Sequence, residues 1–63
     1  MYSMNDKVRT QNMDGKYNNV PGKVTEVFPA GTMDSEPVYM VQYDIPFGSL
    51  VKGMFKESDL INA

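Results

Sequence analysis

Carboxylates are the residues of this 63-residue chain that could carry acid–base chemistry, because the sequence contains no His and no Cys and His is the usual proton-transfer side chain. Glu57 and Asp59 stand two residues apart, as in a paired acid site or in a solvated turn that Ser58 or Asp59 caps. Asp34 and Glu36 offer oxygen atoms to a hard cation, but a calcium loop needs more ligands at fixed spacing. We therefore interpret both pairs as solvated polar segments, and we expect no catalytic residue, no metal site and no cofactor.

Aromatic and methionine side chains are the better candidates for binding. Tyr17 and Phe47 fall in predicted loops, where a ring can hold a methylated cation or stack on a base. Six methionines are many for this length, and thioethers suit adaptable interfaces. The alternative is that the rings cover one end of the domain and the methionines fill gaps in the core. The predicted association surface consists of Leu50, Met54, Met40, Tyr17 and Phe47.

The charge balance favours a protein partner over a nucleic acid. Six Lys and Arg stand against eight Asp and Glu, which gives a net charge of −2, whereas a nucleic-acid binder usually shows a basic stripe. A local basic patch can still form in an acidic protein, so nucleic acid is kept as the alternative partner to a second copy or another protein. The basic set for that alternative is Lys7, Arg9, Lys16, Lys23 and Lys52.

The length of the chain limits its stability. A single domain over residues 1–63 buries only about 60% of the surface that its unfolded form exposes. Disulfides and the usual zinc sites are excluded without Cys and His, so good packing or self-association has to stabilise the fold.

No apolar run approaches the roughly 20 residues of a membrane span. The N-terminus lacks the apolar core of a signal peptide, and we expect a cytoplasmic protein with no membrane contact.

Gly and Pro divide the chain into short strands. They recur every few residues from position 15 to 53, which leaves no window for a helix of ordinary length. Strands are predicted over residues 6–10, 22–28, 38–44 and 49–55, with a last short strand at 60–61. Residues 56–59 are too polar for a strand and predict one helical turn.

Alternation along the strands predicts which side chains are buried. In the second strand, Val24 and Val27 can share the core only if a bulge separates them, and the sequence leaves this open. Gly53 in the fourth strand allows a bend or the close approach of another strand. The buried face of the third strand is predicted to consist of Tyr39, Val41 and Tyr43.

The order of these elements is that of a small barrel. Five short strands, a long polar loop after the first and one helical turn before the last predict an all-β, five-stranded SH3-like barrel. A sheet that curls on itself also leaves few exposed strand edges, which suits a chain this short.

Four stretches resemble the small SH3-like domains of the KOW and Tudor kind. "NDKVRT" is similar to their opening strand, "PGKVTEVF" to the second strand, "VYMVQYD" to the third and "FKESDLI" to the closing turn. In this order they cover the chain from Asn5 to Ile61. The resemblance implies an SH3-like barrel, a fold that hosts many functions.

Three stretches also resemble the plasmid-borne type II dihydrofolate reductases, SH3-like chains that form a tetramer around one pore. They are "NDKVRT", "GKVTEVF" and "GSLVKGMFKESDLIN". That family carries Val-Gln-Ile-Tyr soon after a Gly-Ser pair, whereas Gly48-Ser49 is followed here by Leu-Val-Lys-Gly-Met. The Gln and Tyr that would contact cofactor and substrate are missing, so no active-site role is carried over. We expect a non-catalytic binding or assembly module; a KOW-type nucleic-acid-binding domain is the alternative, and a reductase-like enzyme the second alternative.

Overall fold

A computed structural model describes the backbone of residues 1–63 and every side chain except that of Phe47. Five strands make up the fold, and its two helical segments are single 3₁₀ turns, at Gly15–Tyr17 and at Glu57–Asp59. The strands are β1 (Lys7–Thr10), β2 (Pro21–Phe28), β3 (Val38–Phe47), β4 (Leu50–Lys56) and β5 (Leu60–Asn62). The all-β prediction, the number of strands and the helical turn before the last strand are confirmed. No helix in the described chain is long and apolar enough to cross a membrane.

The five strands form one antiparallel sheet in the order β4-β3-β2-β1-β5. This arrangement is compatible with an SH3-like fold. The sheet is not closed into the predicted barrel, because closure needs a ladder between β4 and β5 and the described strands form none. Only three residues, Glu57–Asp59, connect the end of β4 to the start of β5. The sheet therefore curls, but the three-residue β5 pairs with β1 alone and the sheet keeps two free edges.

The core lies on the concave side of the curled sheet. Val8, Val24 and Leu60 are buried there together with Tyr39, which is 0% exposed, and Val41, which is 1% exposed. The predicted burial of the third strand is thus correct for Tyr39 and Val41. Tyr43, the third predicted member, is only half-buried.

A β-bulge in β2 resolves the question that the sequence left open. Val24 opposes Val41 and Val27 opposes Tyr39, while the register shifts between Val24 and Glu26. The extra residue turns both valines toward the core. Val24 is fully buried, and Val27 packs against the core from its margin.

The N-terminal segment covers one end of the core. The backbone N–H of Tyr2 donates to the Tyr39 hydroxyl over 3.1 Å, and the Tyr2 hydroxyl donates to the Leu60 carbonyl over 3.0 Å. The two tyrosine rings meet edge to face with centroids 5.4 Å apart. At the same end the Tyr39 hydroxyl donates to the Glu57 carboxylate. These contacts fix β3 against the N-terminus and the second 3₁₀ turn.

Gly53 makes room for a neighbouring side chain. A Cβ atom at this position would collide with the Tyr43 hydroxyl and lie 3.0 Å from the Phe55 ring. The predicted close approach is therefore present, but it comes from a tyrosine ring of the adjacent β3 and not from another backbone. The Tyr43 and Phe55 rings pack edge to face with centroids 6.3 Å apart.

Candidate interaction surface

Cross-strand register brings basic side chains together on the convex side of the sheet. Residues that face each other in an antiparallel ladder point to the same side. Lys7 opposes Lys23, Lys23 opposes Gln42, and Gln42 opposes Lys52. Four strands spaced by roughly 4.8 Å place these residues, which we name the lysine row, along a line of about 14 Å. The convex face that carries the lysine row is here called the outer face.

The other two predicted basic residues lie outside the lysine row. Arg9 follows Lys7 by two positions and so shares the outer face, where its guanidinium donates to the Asn19 carbonyl over 3.1 Å. Lys16 lies in the first 3₁₀ turn, with its ammonium 5.4 Å from the centre of the Tyr17 ring. The structure therefore places three of the five basic candidates in one line and a fourth beside it.

A polar cleft of about 240 Å³ opens at one end of the lysine row. Its lining residues are Lys7, Lys23, Gln42, Tyr43 and Asp44. The Lys7 ammonium lies 3.7 Å from the Asp44 carboxylate, and both side chains are well exposed. Among the described side chains, no ion pair engages Lys23 or Lys52. Within the lysine row, these two charges are therefore more available to an anionic group than that of Lys7.

The apolar candidates on the outer face are divided by the lysine row. Met40 opposes Met54 directly across β3 and β4, and Met54 is 43% exposed. Leu50 is 51% exposed and lies on the same face as Met54, but Lys52 stands between them along β4. The apolar candidates on the outer face are thus a methionine pair, Met40 and Met54, and a separate Leu50.

The two aromatic candidates lie away from the methionine pair. Tyr17 is partly exposed in the first 3₁₀ turn, close enough to Tyr43 to act on it electrostatically. Burial, with a smaller contribution from Tyr17, raises the pKa of the Tyr43 hydroxyl above its ordinary value. The side chain of Phe47 lies outside the described residues. Tyr17 therefore belongs to the end of the sheet around Tyr43.

The free edge of β4 carries several exposed apolar side chains. β4 pairs with β3 on one side, and five of its seven residues are exposed. Val51, which alternation placed on the same face as the half-buried Phe55, is 46% exposed. Neither Val51 nor Ile45, which is 71% exposed, is among the interface residues predicted from the sequence. Alternation reports which side of a strand a residue is on, but it does not report whether another element covers that side.

The carboxylates near the second 3₁₀ turn bind groups of the protein itself. Glu57 accepts the Tyr39 hydroxyl and lies 3.5 Å from the N-terminal ammonium. Burial first, and then the hydrogen bond to Glu57, raise the pKa of Tyr39. The predicted side-chain cap by Ser58 or Asp59 is wrong, because the residue that precedes the turn is Lys56 and no side chain caps it. The Ser58 N–H instead donates to Glu36 over 2.8 Å, a partner from a distant loop.

The loop between β2 and β3 satisfies its own acidic residue. Asp34 accepts the Ser35 N–H over 2.6 Å, and this hydrogen bond is the main reason that the pKa of Asp34 is lowered. Lys56 lies 3.9 Å away and acts in the same direction. The described residues contain no group of three or more acidic side chains placed to hold a metal ion.

Comparison with known protein families, with curated proteins and with solved structures finds no match for this chain. The resemblances to KOW and Tudor domains and to type II dihydrofolate reductases remain predictions from short sequence stretches. The candidate surfaces of this chain are the lysine row, the methionine pair and the free edge of β4.

Proposed function

We propose that this chain is a non-catalytic assembly module that associates with a second copy of itself through the free edge of β4. The observation that carries the proposal is a seven-residue edge strand, paired on one side only, with Leu50, Val51 and Met54 all more than 40% exposed. An edge of this kind presents unpaired N–H and C=O groups to another strand. Burying its apolar side chains would add the stabilisation that a short chain lacks.

The strand at the other end of the sheet is a weaker partner for β4. β5 has only three residues, Leu60–Asn62, so it offers few backbone groups. Pairing of β4 with β5 of another copy would also join unlike edges, and each new copy would leave the same two edges free. Pairing of β4 with β4 uses one edge twice and closes as a dimer. The proposed assembly is therefore a discrete dimer.

Light scattering and sedimentation over a range of concentrations test the proposal. We expect the unmodified chain to form dimers and Val51→Lys to be monomeric at the same concentration, because each copy would bring a charge to the apolar edge. Met33→Lys is the matched control, since Met33 is equally exposed in the loop after β2 and the change in net charge is the same. A strictly monomeric unmodified chain at high micromolar concentration would overturn the proposal. Equal weakening of the dimer by both variants would also count against it.

Nucleic-acid binding is the second candidate, and the lysine row is the observation that favours it. Three lysines in one line across the sheet, with Gln42 between Lys23 and Lys52, offer positive charges to a phosphate backbone. This local arrangement supports the candidate in spite of the net charge of −2.

Oligonucleotide binding measured against salt concentration tests the second candidate. Lys23→Gln and Lys52→Gln together should weaken binding and make its logarithmic salt dependence shallower, by about 0.7 to 0.9 for each lost phosphate contact. Lys56→Gln is the control, because Lys56 lies at the end of β4 and forms an ion pair with Asp34. Absence of binding at low salt to both single-stranded and double-stranded oligonucleotides would remove this candidate.

A further inference from the structure

We infer that the β4 strands of two copies pair antiparallel with Gly53 opposite Gly53 of the partner subunit. This inference rests on the proposed self-association and specifies its geometry. It follows from three features of β4: the face on which each side chain lies, the positions of its two lysines and its length.

Symmetry limits the registers that two identical strands can adopt. A two-fold axis that relates adjacent antiparallel strands stands perpendicular to the sheet, so the outer faces of both copies lie on one side. Side chains that oppose one another must then come from the same face. The outer-face residues of β4 are Leu50, Lys52, Met54 and Lys56, because Lys52 opposes Gln42, Met54 opposes Met40 and the others alternate with them. These four residues can only oppose one another.

The lysines disfavour the two registers next to the inferred one. With the axis at Lys52, this lysine opposes the partner's Lys52. With the axis at Met54, Lys52 opposes the partner's Lys56, and the same contact occurs twice in the dimer. Like charges that face each other across a ladder are destabilising.

The register centred on Gly53 places no lysine directly opposite another. Lys52 then opposes the partner's Met54, and Lys56 opposes the partner's Leu50. The aliphatic stem of a lysine can cover an apolar neighbour while its ammonium stays in water. On the concave side, Val51 opposes the partner's Phe55.

Length favours the same register. All seven residues of β4, Leu50–Lys56, find a partner when the axis passes through Gly53. An axis at Val51 or at Phe55 also keeps the lysines apart, but it leaves only three residues of β4 paired on each copy. The register centred on Gly53 is thus the one that combines a complete ladder with separated lysines.

Two opposite charges at Met54 distinguish the inferred register from the two registers next to it. In the inferred register, Met54→Glu faces Lys52 of the partner subunit, whereas Met54→Lys places a like charge there. We expect the dimer of Met54→Glu to have a dissociation constant about tenfold lower than that of Met54→Lys, since each dimer contains two such contacts. With the axis at Met54, each new charge would face the identical charge at position 54 of the partner subunit. Both variants would then form weaker dimers. An axis at Lys52 would place residue 54 opposite the partner's Leu50, and the two variants would then be alike.

Disulfide formation provides a second measurement, because the chain has no cysteine of its own. A mixture of Lys52→Cys and Met54→Cys should form the mixed disulfide faster than either variant alone forms its own. Opposed residues lie close to the Cβ separation that a disulfide needs, while diagonal neighbours are about 7–8 Å apart. Rapid disulfide formation by Lys52→Cys alone would assign the axis to Lys52, and by Met54→Cys alone to Met54; either result would overturn the inference.

Failure of the inferred register can be told apart from failure of the proposed function. A chain that stays monomeric at high micromolar concentration overturns both. A chain that dimerises, but shows one of the other disulfide patterns or no difference between the two charged variants, keeps the assembly function and loses this geometry.

Discussion

The two ends of β3 differ in burial although they belong to one strand. Residues 38–43 pair with both β2 and β4 over most of their length, and Tyr39 and Val41 are almost fully buried there. Residues 44–47 extend beyond the start of β2 and pair only with β4, through Phe47 and Leu50. Ile45 in that extension is 71% exposed. One strand thus forms the centre of the core at its first end and an open projection at its second.

The difference arises from what lies over each end. Tyr2 and Leu60 pack against Tyr39, and Glu57 accepts its hydroxyl. Beyond Tyr43, the Lys7–Asp44 contact is an ion pair between exposed side chains. A strand residue is buried when a second element covers it. Apolar residues of one strand therefore form a core at one end and an exposed surface at the other.

Leucine truncation should separate the covered core from the open edge most clearly. Leu60 is 2% exposed and Leu50 is 51% exposed, and both are changed to Ala. We expect Leu60→Ala to lower the free energy of unfolding by about 2–5 kcal/mol, a large part of the stability of a small domain. Leu50→Ala should change it by less than about 0.5 kcal/mol. Urea unfolding of dilute protein measures both, and equal losses would contradict the assignment of the two positions.

Glycine substitutions should show the same contrast between the core and the edge, with an intermediate loss of stability. A Cβ at Gly22 would lie 2.6 Å from Val41 Cγ1 and 2.7 Å from the Gln42 carbonyl oxygen. Since a backbone oxygen in the sheet centre cannot move freely, Gly22→Ala should cost about 1–3 kcal/mol. Gly53→Ala should cost less, because the tip of the Tyr43 ring can shift.

The Gly53 prediction has an internal control in the tyrosine that fills the space. Tyr43→Phe removes the hydroxyl that a Cβ at Gly53 would meet. In thermal unfolding, the double variant Gly53→Ala with Tyr43→Phe should therefore lose less stability than the sum of the two single changes. Strict additivity would show that the collision does not determine the cost.

The Tyr39 hydroxyl should make stability depend on alkaline pH. Burial and the hydrogen bond to Glu57 raise its pKa in the folded state above the ordinary value of 10.0, so the folded chain keeps this proton when the unfolded chain has lost it. The stabilisation is complete below pH 10 and is lost as pH rises through the folded pKa. Tyr39→Phe should lower the free energy of unfolding by about 1–2 kcal/mol near neutral pH and reduce its decline above pH 10. Tyr17→Phe, a change in the partly exposed turn, is the control in urea unfolding at several pH values, and an unchanged alkaline decline in Tyr39→Phe would refute the assignment.

Removing a surface ion pair should have the smallest effect. The Lys7 ammonium and the Asp44 carboxylate are 3.7 Å apart, and their side chains are 64% and 43% exposed. Lys7→Gln should change the free energy of unfolding by less than about 0.5 kcal/mol, because exposed ion pairs contribute little. Urea unfolding at low and at high salt measures this change. A loss of unfolding free energy as large as that caused by Leu60→Ala would contradict the contrast, because the open end of β3 would then stabilise the fold as strongly as the core does.

Local sequence patterns predicted the strands but left their faces partly undetermined. The Gly and Pro residues and the alternation around Tyr39 and Val41 act over a few neighbouring positions, so strand limits were within three residues of those observed. The bulge beside Val24 could be named but not decided, since a bulge is fixed by the partner strand. The cap on the second 3₁₀ turn was mispredicted, because Glu36 is distant in sequence and close only in the fold.

The candidate surfaces depended on register more than on residue type. Six scattered basic residues gave no stripe in the sequence, yet pairing of four strands aligns Lys7, Lys23 and Lys52. Leu50 and Met54 appeared to form one apolar patch, but Lys52 lies between them on the same face. The exposure of Val51 depends on β4 being an edge strand, which local alternation does not reveal.

Local residue patterns are enough to predict that the chain is all-β, to place its strands within three residues and to turn Tyr39 and Val41 inward, because turn residues and alternation act locally. The tertiary structure alone decided that the sheet stays open, that β4 is a free edge and that three lysines share a row. These features depend on which strands become neighbours and in what register, and both are set by packing among residues far apart in the chain.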